Sequence, residues 1–138
     1  KQLKKRKLDG AIKKFIATKK PFLGICVGLQ VLFEESEESP NVKGLGIFKG
    51  KVLKFKKGKI PQIGWNKIKS KTIGNGYVYF VDSYYPNPKD RGIIESTSDY
   101  YINFTAAVKK DNIFATQFHP EKSGKFGQEI LRKWLNAG

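Results

Sequence analysis

Apolar residues recur at helical spacing through residues 2 to 18, where Leu3, Leu8, Ile12, Phe15 and Ile16 stand among lysines. This pattern predicts an amphipathic helix with one packed face, ending before "KKP". The continuous apolar run "FLGI" at 22 to 25 instead has the form of a short strand buried on both faces of a parallel sheet. Helical spacing returns in "VGLQVLFEES", 27 to 36, with Leu29, Leu32 and Phe33 on one face. The acids that close it, Glu34, Glu35, Glu37 and Glu38, sit at the wrong pole of a helix dipole, so helix propensity does not account for them.

From Gly44 onward the texture changes to short β-rich runs between turn residues: "LGIF", "KVLKF", "QIGWNKIK", "YVYFVDSYYP", "GIIESTS", "NFTAAVKK" and "NIFATQFHP". A last amphipathic helix is predicted over 126 to 138, with Ile130, Leu131, Trp134 and Leu135 at helical spacing. The order helix, buried strand, helix, β-rich block, final strand and helix predicts an α/β layer fold with an antiparallel extension.

With 138 residues the chain suits one domain, 1–138, around one core. It shows no run long enough to span a bilayer and no leader pattern, so no membrane partner is expected and the cytoplasm is the default location. The outlying quantity is charge: 27 Lys and Arg against 12 Asp and Glu give +15. These cations are spread along the chain and are mostly lysine, with Arg6, Arg91 and Arg132 the only arginines, whereas nucleic-acid readout leans on arginine. A solvated lysine-rich surface is the reading, with no nucleic-acid partner. Methionine is absent, which points to a natural start upstream of Lys1.

The one cysteine, Cys26, cannot form an intramolecular disulfide, which leaves a small buried hydrophobe or a reactive thiol. Gly24, Cys26 and Gly28 spell G-x-C-x-G, the thiol counterpart of the nucleophile elbow, in which a sharp strand-to-helix turn lifts the nucleophile above the sheet. In such a turn the two glycines keep strand and helix from colliding, and the positive end of the next helix favours the thiolate. The Val27 amide would face a developing oxyanion. The one histidine, His119, ends a predicted strand in "QFHPE". Pro120 stiffens that step, so Glu121 can hold the imidazole in one tautomer, the third role of a catalytic triad.

Together "KPFLGICVGLQVLFEESEE", "GLGIFKGKV", "PQIGWNKI", "YFVDSYY", "AAVKKDNIFATQFHPEKSG" and "LRKWL" resemble the class I (triad) glutamine amidotransferases, and more narrowly the glutaminase subunits of imidazole glycerol phosphate synthase. The resemblance runs from about Lys20 to the C-terminus. It implies a flavodoxin-like layered fold with a central, mostly parallel sheet and an antiparallel extension. It also implies Cys26 as nucleophile, His119 as general acid and base and Glu121 as orienting carboxylate, acting on glutamine through a γ-glutamyl thioester. Gln30, Ser83 and Tyr84 match glutamine-contacting positions. Trp65, Asn66 and Lys122 match the surface facing the partner, a (β/α)8-barrel cyclase of histidine biosynthesis that receives the ammonia in a heterodimer. No cofactor and no metal are implied, and family members are stimulated by the occupied partner, so the chain alone should be nearly idle.

The sequence departs from the family pattern in two ways. Family members begin with strands and a glycine-rich turn that supplies the other half of the oxyanion hole, and this chain starts in the helix after them. Asp82 and Gln62 stand where histidine is common, both expected near the partner-facing side. Two other readings therefore stay open: a paralogous amidotransferase subunit serving another synthase, such as one amidating a surface sugar, and a non-catalytic remnant of the scaffold.

Overall fold

The computed structural model describes residues 2–137, with side chains for 7–135; Lys1 and the side chains of the basic run through Arg6, including Leu3, lie outside the described residues. In chain order the elements are α1 (Gln2–Ala17), β1 (Phe22–Ile25), α2 (Val27–Gln30), β2 (Glu35–Ser36), β3 (Gly50–Lys54), β4 (Gln62–Ser70) and β5 (Gly76–Asp82). After them come β6 (Tyr84–Pro88), β7 (Ile94–Asp99), β8 (Asn103–Lys110), β9 (Ile113–Thr116) and α3 (Gly124–Ala137). Six strands form one sheet in the order β1-β9-β8-β7-β4-β5, and β2-β3-β6 form a smaller one.

Each face of the larger sheet carries a core. On one, Ile130 and Trp134 of α3 pack with Phe80, Phe104, Phe114 and Phe118. On the other, Leu29, Leu32 and Phe33 pack with Val108, Ile113 and Ala115, and Ile12 and Ile16 of α1 close over them. Of the α1 stripe that the spacing predicts, Ile12 and Ile16 pack while Leu8 and Phe15 remain exposed. Adjacent strand residues Ile113, Phe114 and Ala115 serve opposite cores, which is why β9 is buried throughout.

Three expectations are revised by this arrangement. The strand buried on both faces is β9; β1 is half-buried because β9 is its one strand partner among the described residues. The larger sheet is mixed rather than mostly parallel, since only β1 and β9 run parallel and the antiparallel extension supplies its other pairings. The helix foreseen over 27 to 36 stops at Gln30, and the chain turns to place Glu35–Ser36 beside β3. The out-of-place acids explain that stop. Glu34 Oε1 accepts from the Gly50 amide at 2.9 Å, Glu37 Oε1 from the Lys54 amide at 2.8 Å, and Glu35 pairs with Lys51. They pin the segment to β3 by its side chains, and no helix has to tolerate them.

The two glycines of G-x-C-x-G have unequal duties. A Cβ on Gly24 would lie 2.7 Å from the Gly28 carbonyl oxygen, a backbone atom that cannot yield cheaply, while one on Gly28 meets nothing within 4 Å. Only Gly24 is sterically required by the described residues. Gly24→Ala is expected to cost about 1–3 kcal/mol by overpacking, and Gly28→Ala less than about 0.5 kcal/mol. Urea unfolding of both variants checks this; equal costs would contradict it.

Candidate active site

Cys26 leaves β1 at φ 55° and ψ −104°, a strained backbone for a residue with a side chain and of the kind a nucleophile elbow requires. The surrounding hydrogen bonds hold it there. Its amide donates to the Thr116 carbonyl at 2.7 Å, extending the β1–β9 pairing by one bond, and its own carbonyl accepts from Leu29 and Gln30 of α2. The half-buried thiol is turned toward the Val81 carbonyl, at 3.9 Å, and receives a hydrogen bond from Gln117 Nε2 at 3.4 Å. The bend of an elbow is therefore built, with the thiol half-buried at its apex.

The same pairing brings the histidine segment to this end of the sheet, because β9 runs from Thr116 directly into "QFHPE". His119 is extended, at φ −102° and ψ 96°, as the following proline requires. Its amide donates to the Tyr79 carbonyl at 2.9 Å, and Ser123 Oγ donates to its carbonyl at 2.6 Å while accepting from the Tyr79 amide. A short 3-10 turn, Pro120–Lys122, then places the Glu121 carboxylate 3.0 Å from His119 Nδ1. Nε2 is the ring nitrogen left for other work. No hydrogen bond joins Sγ to the imidazole among the described residues; the thiol nonetheless feels the charge of Glu121.

Electrostatically the thiol differs from expectation. Burial and the nearby Asp82 carboxylate push it above the ordinary cysteine value, against the Val27 amide and Gln117, which favour the thiolate. The one-turn α2 does not reverse the balance. The Val27 side chain stands out in solvent.

Asp82 and Gln62, expected near the partner-facing side, both have buried side chains. They are direct cross-strand partners on β5 and β4, both buried, with Gln62 Nε2 donating to Asp82 Oδ1 at 3.0 Å. The two departures from the family pattern are one interaction. Asn66 Nδ2 completes it, donating to Gln62 Oε1 at 2.9 Å and to the Asp99 carbonyl at 2.7 Å. Asp82 Oδ2 is buried without a partner, and burial lifts this carboxyl to about 7.

Of the remaining candidates, Gln30 lies at the edge of a cavity of about 200 Å³ together with Val27, Glu35, Ser36, Glu38 and Lys43. The Ser83 carbonyl already accepts from the Phe55 amide, and Tyr84 packs against the α2 core two and three residues beyond the Val81 carbonyl that the thiol faces. Trp65 is 56% exposed beside Ile63 on the outer face of β4, stacked edge-on against Tyr79, so it is no core aromatic. Lys122 is exposed, whereas the Asn66 amide is engaged internally. Sequence reasoning missed Gln117 and Ser123. Both stand in or beside "QFHPEKS", and the strand that fixes Ser123 is remote in sequence. Among the described residues no three or more His, Cys, Asp or Glu are grouped to hold a metal, and no helix is long and apolar enough to cross a membrane.

Known proteins resemble this chain in sequence and in fold. The model of the glutamine amidotransferase class-I family matches residues 5–137. The imidazole glycerol phosphate synthase subunit HisH of Methanocaldococcus jannaschii is 47% identical over 137 residues, covering 93% of this chain and 69% of that protein. Its counterpart in Pyrococcus furiosus is 53% identical over 124 residues, covering 83% of this chain and 64% of that protein. A solved structure described as a glutamine amidotransferase superposes with a TM-score of 0.72 at 17% identity, over 93% of this chain and 66% of that one. The chain spans about two thirds of the length of these proteins.

The buried Asp82 makes stability depend on pH in a definite direction. Its folded value, about 7, lies above the ordinary 3.8, so between those values the folded state binds more protons than the unfolded. This contribution is intact below the ordinary value and is lost as pH rises through about 7. Asp82→Asn is therefore expected to raise the thermal midpoint relative to the parent at pH 8 and not at pH 4; an equal difference at both would contradict the assignment.

Proposed function

The chain belongs to the class-I glutamine amidotransferase family, and from that premise we propose that it hydrolyses glutamine through a thioester on Cys26 and passes the ammonia to a partner synthase of histidine biosynthesis. One observation carries the reading: a cysteine on a positive-φ bend donates its backbone amide to the carbonyl of Thr116, three residues ahead of an imidazole held by a carboxylate. The name carried by its relatives, imidazole glycerol phosphate synthase subunit HisH, supports the histidine pathway.

In the proposed reaction His119 Nε2 takes the thiol proton and the thiolate attacks the side-chain amide carbon of glutamine. The carbonyl becomes an oxyanion, which backbone amides at the elbow stabilise. As the C–N bond breaks, His119 returns the proton to nitrogen and ammonia departs, leaving a γ-glutamyl thioester. Water then attacks the acyl carbon with His119 as base, releasing glutamate and restoring the thiol. Glu121 keeps Nδ1 protonated throughout, so that Nε2 is the exchanging nitrogen.

A thiol held above its ordinary value is a weak nucleophile at neutral pH, which supports a glutaminase that idles until its partner is engaged. For that partner, a (β/α)8-barrel cyclase, the outer face of β4 offers Trp65 and Ile63, more than half exposed, with Lys122 exposed nearby in sequence to His119. Such a role belongs in the cytoplasm.

Division of labour between the subunits is testable. With the partner present, Cys26→Ala is expected to abolish glutamine-dependent synthesis, a loss of at least about a thousandfold, while synthesis from added ammonium salts stays at the parent level. Glutamine turnover that survives the substitution would overturn the assignment of Cys26.

A further inference from the structure

Gln117 has a fully buried side chain at the end of β9, and both ends of its amide are engaged. Its backbone amide is fixed by the Ala106 carbonyl at 2.7 Å, so the side chain starts from a rigid point on the sheet. Nε2 donates to Cys26 Sγ at 3.4 Å, while Oε1 accepts from Gln30 Nε2 at 3.2 Å. A primary amide is polar in one direction. With its oxygen accepting from Gln30, its Nε2 donors lie on the side of the sulfur. Among the described residues Gln117 is the one side chain that donates a hydrogen bond to this thiol, a place that His119 does not fill here.

Resting on the reading that Cys26 is the nucleophile, we propose that Gln117 positions and stabilises the Cys26 thiolate, with the direction of its amide set by Gln30 at the wall of the adjoining cavity. A buried donor costs free energy unless it is paired, and pairing with a thiolate is stronger than with a thiol, so the contact favours the charged form. It acts against burial and Asp82, which favour the neutral thiol. Gln30 gives the arrangement its second property. Lining the cavity and holding Gln117 at once, it connects whatever occupies the cavity to the reacting sulfur through two hydrogen bonds.

The test reads the thiol directly. The natural polypeptide, bound to its partner synthase, is alkylated with iodoacetamide across a range of pH, and modification of Cys26 is monitored by peptide mass. Gln117→Leu is expected to move the midpoint of the rate profile upward by about one pH unit, so that alkylation at pH 7.5 slows roughly tenfold. Gln30→Leu leaves the buried residue in place and removes only what orients it; a smaller shift in the same direction is expected. Thermal unfolding identifies any variant that has lost its fold, and the half-buried Gln30 variant then decides. A midpoint that stays put or falls in a folded variant overturns the proposal. A parent protein that alkylates with the expected profile but leaves glutamine untouched would sink the glutaminase reading and leave this assignment standing.

Discussion

The short parallel pairing of β1 with β9 is the constraint on which the site depends. Four register pairs, Phe22 with Ile113 through Ile25 with Thr116, lay the two strands side by side with their C-terminal ends together. The bond from the Cys26 amide to Thr116 continues the ladder one residue past the strand, so the bend at Cys26 is held from its neighbour rather than by its own propensity. The segments beyond the two strands are thereby placed at one edge: α2 after the cysteine, and Gln117, His119 and Glu121 after Thr116. Residues about 90 positions apart become neighbours because parallel strands end at the same edge.

Around that bend the polar groups oppose one another. Val27 N–H and Gln117 favour a charged sulfur; burial and Asp82 favour a neutral one and outweigh them, so the thiol lies above its ordinary value. The His119–Glu121 pair is assembled independently, on a turn anchored by Tyr79 and Ser123. The carboxylate–imidazole pair is in place while the environment of the sulfur opposes its charged form. β5 carries both Asp82 and the Val81 carbonyl, and its outer face lies beside the exposed Trp65 and Ile63.

Much of this is legible in the sequence. The helical spacing of α1 and α3, the β-rich middle and the two motifs at Cys26 and His119 are readable because each depends on local pattern: period, glycine placement, a proline after the histidine. The features that escape a sequence reading depend on contacts between distant segments. Nothing local in Glu34 and Glu37 announces that they accept amides of β3, so the apolar spacing alone carries a helix through them. Nothing in "PQIGWN" or "FVDSYY" alone shows that Gln62 and Asp82 face each other across two strands, so the sequence presents two departures where the fold has one. Gln117 is hidden by its neighbour, a histidine whose chemistry draws attention away from a buried amide.

The central claim is that Cys26 carries the acyl group between two chemical steps. The direct measurement is to mix the natural polypeptide and its partner synthase with glutamine, quench in acid during turnover, and weigh the proteolytic peptide that contains Cys26. A peptide heavier by one γ-glutamyl group, lost on treatment with hydroxylamine, is the predicted result. Steady consumption of glutamine with that peptide always unmodified, or with the acyl group on another residue, would contradict it.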